Sequence, residues 1–312
     1  MEPLVVLSLL AALAVCVILG ANNASACVST SLGIISLSYS ALATVGGIGV
    51  ILGTAIEGSK LSNTIYGGVL NRPSDEATIV LLLATLTVML VATTLNLPLS
   101  LTQAMVGAAI PLGLVLKTGV NWNFTGLVAV SWILTPLVAS VLSVATYHLT
   151  RLANRRIGNL FERARLYAAV TFCGSFYTGY TLGANGVGLI YGISRSTLSA
   201  PPLFSLLLSS ATVAGIFLFG CGVAATVSDR ILSLVGAAAL AAQLGAALTV
   251  HLFTQLGIPV SITQATIGGI AGIGQAKDIA IMNRQIVLRI ILGWIAAPVT
   301  GLAFAWLLLA LM

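Results

Sequence analysis

Two short polar stretches interrupt an otherwise apolar chain, and they are copies of one another. Pro98, Ser100, Thr102, Gln103 and Gly107 recur as Pro259, Ser261, Thr263, Gln264 and Gly268, a constant separation of 161 positions (98 against 259). A proline lacks an N–H and restricts the residue before it, so a helix does not run on through it unbroken. A serine or threonine just beyond the proline is a good N-cap, so each stretch predicts a helix that restarts there. A helix start presents unpaired N–H groups and the positive end of the dipole, which together bind oxyanions. Ser100, Thr102, Ser261 and Thr263 add hydroxyl donors, and Gln103, Gln264, Asn22, Asn23 and Asn185 add amides. Two such starts facing each other across a pseudo-two-fold axis would cradle a small tetrahedral anion with neutral donors, which keeps binding reversible.

The elements that hold these groups must lie in lipid. Hydrophobic residues make up 58% of the 312-residue chain and charged residues only 6%, against about a quarter in soluble domains. Charge-free stretches run 3–56, 77–116, 118–150, 166–194, 196–228, 231–276 and 290–312. A helix needs about 20 apolar residues to cross the hydrocarbon core, so these stretches hold about ten spanning elements, five per half. The expected fold class is an all-α polytopic membrane protein in two inverted repeats with broken or re-entrant helices. Residues 4–19 read as the first span rather than a signal peptide, because the only early charge is Glu2 and the apolar character continues.

Other markers repeat at nearly the same separation. Gly20-Ala-Asn-Asn23 returns as Gly183-Ala-Asn-Gly186, and Trp132 and Pro136 return as Trp294 and Pro298. A weaker echo links Leu61-Ser-Asn-Thr-Ile65 to Val227-Ser-Asp-Arg-Ile231. The chain therefore divides into a first membrane repeat, 1–150, a basic connector, 151–165, and a second membrane repeat, 166–312. Arg151, Arg155, Arg156, Arg163 and Arg165 mark that connector as cytoplasmic by the positive-inside rule and give no nucleic-acid signal. Five crossings per half then put both termini outside. An inverted repeat is the usual build of a secondary transporter, with its site near the midplane. The two asparagine stretches are expected to break the helix at membrane depth, where such backbone survives only when buried or lining a wet cavity.

The remaining polar residues have simpler readings. His148 and His251 have no counterparts at the repeat separation and read as structural histidines; Glu57 and Lys60 read as a loop ion pair. Cys16, Cys27, Cys173 and Cys221 lack CxxC spacing and read as small buried packing residues, neither disulfide nor metal site. The apolar core shows no paired carboxylates, HExxH or Cys/His cluster, so no enzyme is expected and no cofactor beyond a coupling ion.

Taken together, these motifs resemble the inorganic phosphate transporter (Pit) family of sodium- or proton-coupled permeases. That family carries two Gly-Ala-Asn-Asp elements and two Pro-Val-Ser-Thr-Thr-His-like elements, matched here by residues 20–23, 183–186, 98–103 and 259–264. The resemblance implies an inverted-repeat carrier in the plasma membrane, often a homodimer, with Asn22, Asn185, Ser100, Thr102, Ser261 and Thr263 at the anion site. Asn23 and Gly186 stand where the family has aspartates, and Gln103 and Gln264 where it has histidines. Losing both carboxylates removes the obvious sodium ligands and proton acceptors, so sodium coupling is in doubt and proton symport or facilitated passage gains weight. It also leaves a donor cage that suits sulfate at least as well as phosphate. The expected function is secondary transport of an oxyanion by alternating access, phosphate first and sulfate second, with an anion channel as the alternative.

Overall fold

The computed structural model describes residues 3–24, 38–71, 74–95, 99–155, 157–194, 202–225, 237–277 and 284–312. Pro98, residues 25–31 of the first asparagine stretch and the marker at 227–231 lie outside them. The first half contributes α1 (Pro3–Leu19), α2 (Tyr39–Glu57), α3 (Asp75–Thr94), α4 (Leu101–Val115) and α5 (Trp122–Arg155). The second contributes α6 (Leu160–Leu182), α7 (Gly188–Ser194), α8 (Pro202–Ala225), α9 (Ala237–Gln255), α10 (Ile262–Lys277) and α11 (Arg284–Ala310). Helices α1 and α6 correspond, as do α2 and α8, α3 and α9, α4 and α10, and α5 and α11. Among the described residues, seven helices are long and apolar enough to cross a bilayer, so this is a multi-pass membrane protein.

Helices α4 and α10, of 15 and 16 residues, would reach about 22–24 Å and cannot cross a core of about 30 Å. Each folds back against the helix before it, α4 on α3 and α10 on α9, as the arm of a hairpin. Of the seven long apolar helices, α3 and α9 are the most buried and form the centre, whereas α5 and α11 are the least buried and face outward. The basic run is largely helical: α5 continues to Arg155 and α6 begins at Leu160, leaving 157–159 as the described non-helical link.

The halves are interleaved. Helix α4 packs chiefly on α11 of the other half, and α10 on α5. Gly107 and Gly268 make both contacts possible, because a Cβ on Gly107 would overlap the Pro298 carbonyl and one on Gly268 the Pro136 carbonyl. Small residues let membrane helices approach this closely, and tight van der Waals contact replaces the missing hydrophobic drive. Gly20 and Gly183 do the same against the Thr212 and Val50 carbonyls of α8 and α2.

Two expectations are corrected. The asparagine motifs do not break the helix: Gly20–Ala24 and Gly183–Val187 are π turns that continue α1 and α6. A π turn keeps most backbone groups bonded while widening the helix, a device frequent at functional sites. Cys16 is buried as expected, but Cys173 is exposed on α6.

Candidate functional site

The two restarted helices begin side by side in the interior. Ser100 caps α4, its Oγ accepting from the Gln103 N–H at 3.3 Å; Ser261 Oγ accepts from the Gln264 N–H at 3.2 Å. Each cap satisfies one of the four N–H groups that a helix start leaves without an intrahelical partner. Two residues beyond the caps, the threonines reach across the junction. Thr102 Oγ1 donates to the Val260 carbonyl at 3.3 Å, and Thr263 Oγ1 donates to the Leu99 carbonyl at 3.4 Å. Thr263 Oγ1 also lies 3.3 Å from Asn23 Oδ1, so its single hydrogen is shared between these two acceptors. The contacts are reciprocal, each threonine bonding a carbonyl of the other tip. They are long for hydroxyl donors, whose bonds cluster near about 2.7–2.8 Å, so little is lost when they are exchanged.

A cavity of about 10 Å³ lies at this junction, bounded by Asn23, Thr102, Asn185, Gly186 and Ser261 among apolar neighbours. That is room for about one water molecule, so the hairpin tips must part to admit a tetrahedral oxyanion. All of these polar groups are buried, none more than 5% exposed.

Asn22 and Asn185 act as braces. Asn22 Nδ2 donates to Thr93 Oγ1 at 3.2 Å, and Asn185 Nδ2 donates to Thr254 Oγ1 at 2.9 Å. Asn22 Oδ1 also accepts from the Leu99 N–H at 3.0 Å. Each π turn thus grips the last turn of α3 or α9, immediately before the hairpin tip. Thr93 and Thr254 escaped the sequence reading, although they lie 161 positions apart (93 against 254) like the rest of the motif.

Gln103 and Gln264 are not brought into the central cavity. They line a separate cleft of about 610 Å³ with Trp132, Pro136, Trp294 and Pro298. Within it Gln103 Oε1, Gln264 Oε1, Trp132 Nε1 and Trp294 Nε1 are buried without a hydrogen-bond partner. The geometry explains the divergence: consecutive helical residues point about 100° apart, so with Thr102 turned to the junction Gln103 faces α11. A third space, of about 500 Å³, lies above the second hairpin tip, lined by Lys60, Asn63, Thr64, Tyr66, Asn121 and Gly257. It is polar, and Lys60 gives its edge a positive charge.

The sequence profile of the phosphate transporter family matches this chain twice, over residues 19–170 and 153–305. The chain belongs to that family. It is 28% identical over 296 residues to a protein of Methanocaldococcus jannaschii provisionally named a phosphate permease, spanning 93% of this chain and 92% of the relative. It is 26% identical over 301 residues to the sulfate permease CysP of Bacillus subtilis, spanning 94% of this chain and 84% of the relative. A solved structure of a sodium-dependent phosphate transporter superposes with a TM-score of 0.84 at 20% identity, covering 99% of this chain and all of that one. The all-α polytopic fold class expected from the sequence is the one observed, with seven helices long enough to span among the described residues.

Proposed function

We propose that this member of the phosphate transporter family carries a small tetrahedral oxyanion across the plasma membrane by alternating access, with the anion held where α4 and α10 begin. The reciprocal threonine bonds carry this reading. Thr102 and Thr263 spend their hydroxyls on carbonyls of the opposite tip, and an oxyanion between the tips would take those hydroxyls in exchange. The two helix starts supply N–H groups and dipole charge worth about half an elementary charge each within the first turn. A junction closed down to the size of a water molecule suits a carrier better than a channel.

Phosphate is the first substrate. A P–OH needs an acceptor, and the Leu99 and Val260 carbonyls and Asn23 Oδ1 all lie within reach of the threonine hydroxyls. The junction is therefore not a cage of donors alone. Sulfate is the second reading, favoured by the absence of a carboxylate at Asn23 and Gly186 and by the likeness to the Bacillus subtilis sulfate permease.

The test is uptake of labelled phosphate and labelled sulfate into proteoliposomes. Thr102→Val and Thr263→Val should each lower uptake of the transported anion at least tenfold while the purified protein stays monodisperse. Unchanged uptake of both anions in both variants would overturn the site.

A further inference from the structure

We propose that Glu57 and His251 form the site that binds a proton during anion transport, an inference that rests on the carrier function argued above. Glu57 ends α2 in the first half, and His251 lies in α9 of the second. Their side chains meet across the halves with Glu57 Oε2 3.4 Å from His251 Nε2. Gln255 Nε2 donates to the same carboxylate oxygen at 2.8 Å, and Lys60 Nζ lies 3.5 Å from Oε1. Lys60 also contacts Gln255 Oε1. On the other side of the imidazole, the Tyr177 hydroxyl is 2.9 Å from Nδ1, and the Tyr180 ring stacks on it with centroids 5.9 Å apart. The groups facing His251 are thus Glu57 from α2, Lys60 from the turn after it, Tyr177 and Tyr180 from α6, and neutral Gln255 from α9 itself.

The chemistry of these partners fixes how the proton enters. A carboxylate only accepts, so neutral His251 keeps its hydrogen on Nε2 facing Glu57, and Nδ1 accepts from the Tyr177 hydroxyl. An added proton then goes to Nδ1, and the Tyr177 hydroxyl turns over to accept from it. The proton comes from water through the polar space that Lys60 lines, and neither partner is fully enclosed, the side chains being 15% (Glu57) and 26% (His251) exposed. It returns to water when the anion leaves, and no other bond changes.

Position links this proton to the anion. Without it, Glu57, Lys60 and neutral His251 sum to zero charge; with it, the cluster carries +1 beside the vestibule that Lys60 and Gly257 line. One residue before Gln255, Thr254 receives the Asn185 amide, and Asn185 bounds the central cavity. A positive charge gained there favours an arriving anion, and a bound anion favours the proton by the same factor, because linkage is reciprocal. Anion affinity therefore rises as pH falls. No carboxylate is needed at Asn23 or Gly186 for this coupling.

The experiment uses the full chain in proteoliposomes and separates driven accumulation from exchange. Labelled sulfate, whose charge is constant from about pH 5 to about pH 8, removes titration of the substrate from the readout across the range where histidine titrates; labelled phosphate is run in parallel. An inward-directed proton gradient should raise accumulation by wild type severalfold. His251→Gln and Glu57→Gln should each reduce that response to less than twofold while exchange of labelled for unlabelled anion at equal pH continues. Tyr177→Phe, which keeps the ring but removes the acceptor for the Nδ1 proton, should shift the half-maximal response to lower pH. Undiminished gradient-driven accumulation in both His251→Gln and Glu57→Gln would overturn the proposal, as would loss of exchange alongside accumulation in both, which marks a structural role. An unmoved midpoint in Tyr177→Phe would overturn entry at Nδ1. Absence of exchange of either anion by wild type would instead refute the carrier reading beneath it.

Discussion

At the scale of single residues, the decisive choice is amide against acid at position 23. Asn23 Oδ1 accepts from Thr263 at 3.3 Å beside the cavity in which we place the anion. Asn23→Asp would change almost nothing in shape and would put a negative charge there. Two like charges about 4 Å apart repel by about 4 kcal/mol at the effective dielectric typical near a protein surface. The expected result in sodium-free medium at neutral pH is at least a tenfold rise in the sulfate concentration needed for half-maximal uptake. Protonation of the new carboxylate removes that charge, so the loss shrinks as pH falls. A half-saturation constant unchanged by Asn23→Asp would place the anion elsewhere. The same reasoning separates neighbours within one motif: Thr102 is bonded across the junction, whereas Gln103 carries an unpartnered carbonyl into the tryptophan cleft.

At the scale of elements, the sequence revealed most of what local chemistry determines and little of what the packing of distant segments determines. The helix restarts and their caps were readable because Ser100 and Ser261 act within three residues of themselves. The short reach of α4 and α10 follows from where those restarts fall. The π turns were not readable, since an asparagine after a glycine is as compatible with a broken helix as with a widened one. Thr93 and Thr254 were readable in principle from the repeat but were hidden among many threonines that bond only their own helix, as Thr85 and Thr178 do. The meeting of Glu57 with His251 spans 194 positions (57 against 251) and breaks the repeat symmetry, so no pattern in the chain announces it. The glycines test the element level directly. Gly107→Ala or Gly268→Ala forces a Cβ against a backbone carbonyl of α11 or α5, an overpacking that costs about 1–3 kcal/mol. Gly126→Ala in α5, where an added Cβ meets nothing within 4 Å, serves as the control and should be neutral or slightly stabilising. Thermal unfolding in detergent should show both packing variants melting below wild type and the control at or above it; equal melting of all three would mean the halves do not depend on this close approach.

At the scale of the whole molecule, interleaving limits the motion that the proposed transport could use. Each hairpin arm is held by the outer helix of the opposite half, α4 by α11 and α10 by α5. Neither tip can withdraw far without carrying part of the other half with it. The tips touch through two long hydroxyl bonds around a space of about 10 Å³, so the state seen here is closed over the junction, with the polar vestibule of about 500 Å³ beyond the second tip. If the anion passes between the tips, tying them together must stop it. Replacing the four native cysteines, then introducing Leu99→Cys with Val260→Cys, two tip residues whose backbone carbonyls rather than side chains accept the threonine bonds, and bridging them with a thiol-specific cross-linker, would fasten the tips beside their observed contacts. Cross-linking should abolish both net uptake and exchange in proportion to the fraction bridged, and cleavage of a reducible linker should restore them. The two single-cysteine variants treated identically must keep their flux, which separates restraint from mere blockage by the reagent. Flux that survives complete bridging would mean the route does not run between α4 and α10, because a cavity of this size cannot pass a tetrahedral anion unless its walls move apart.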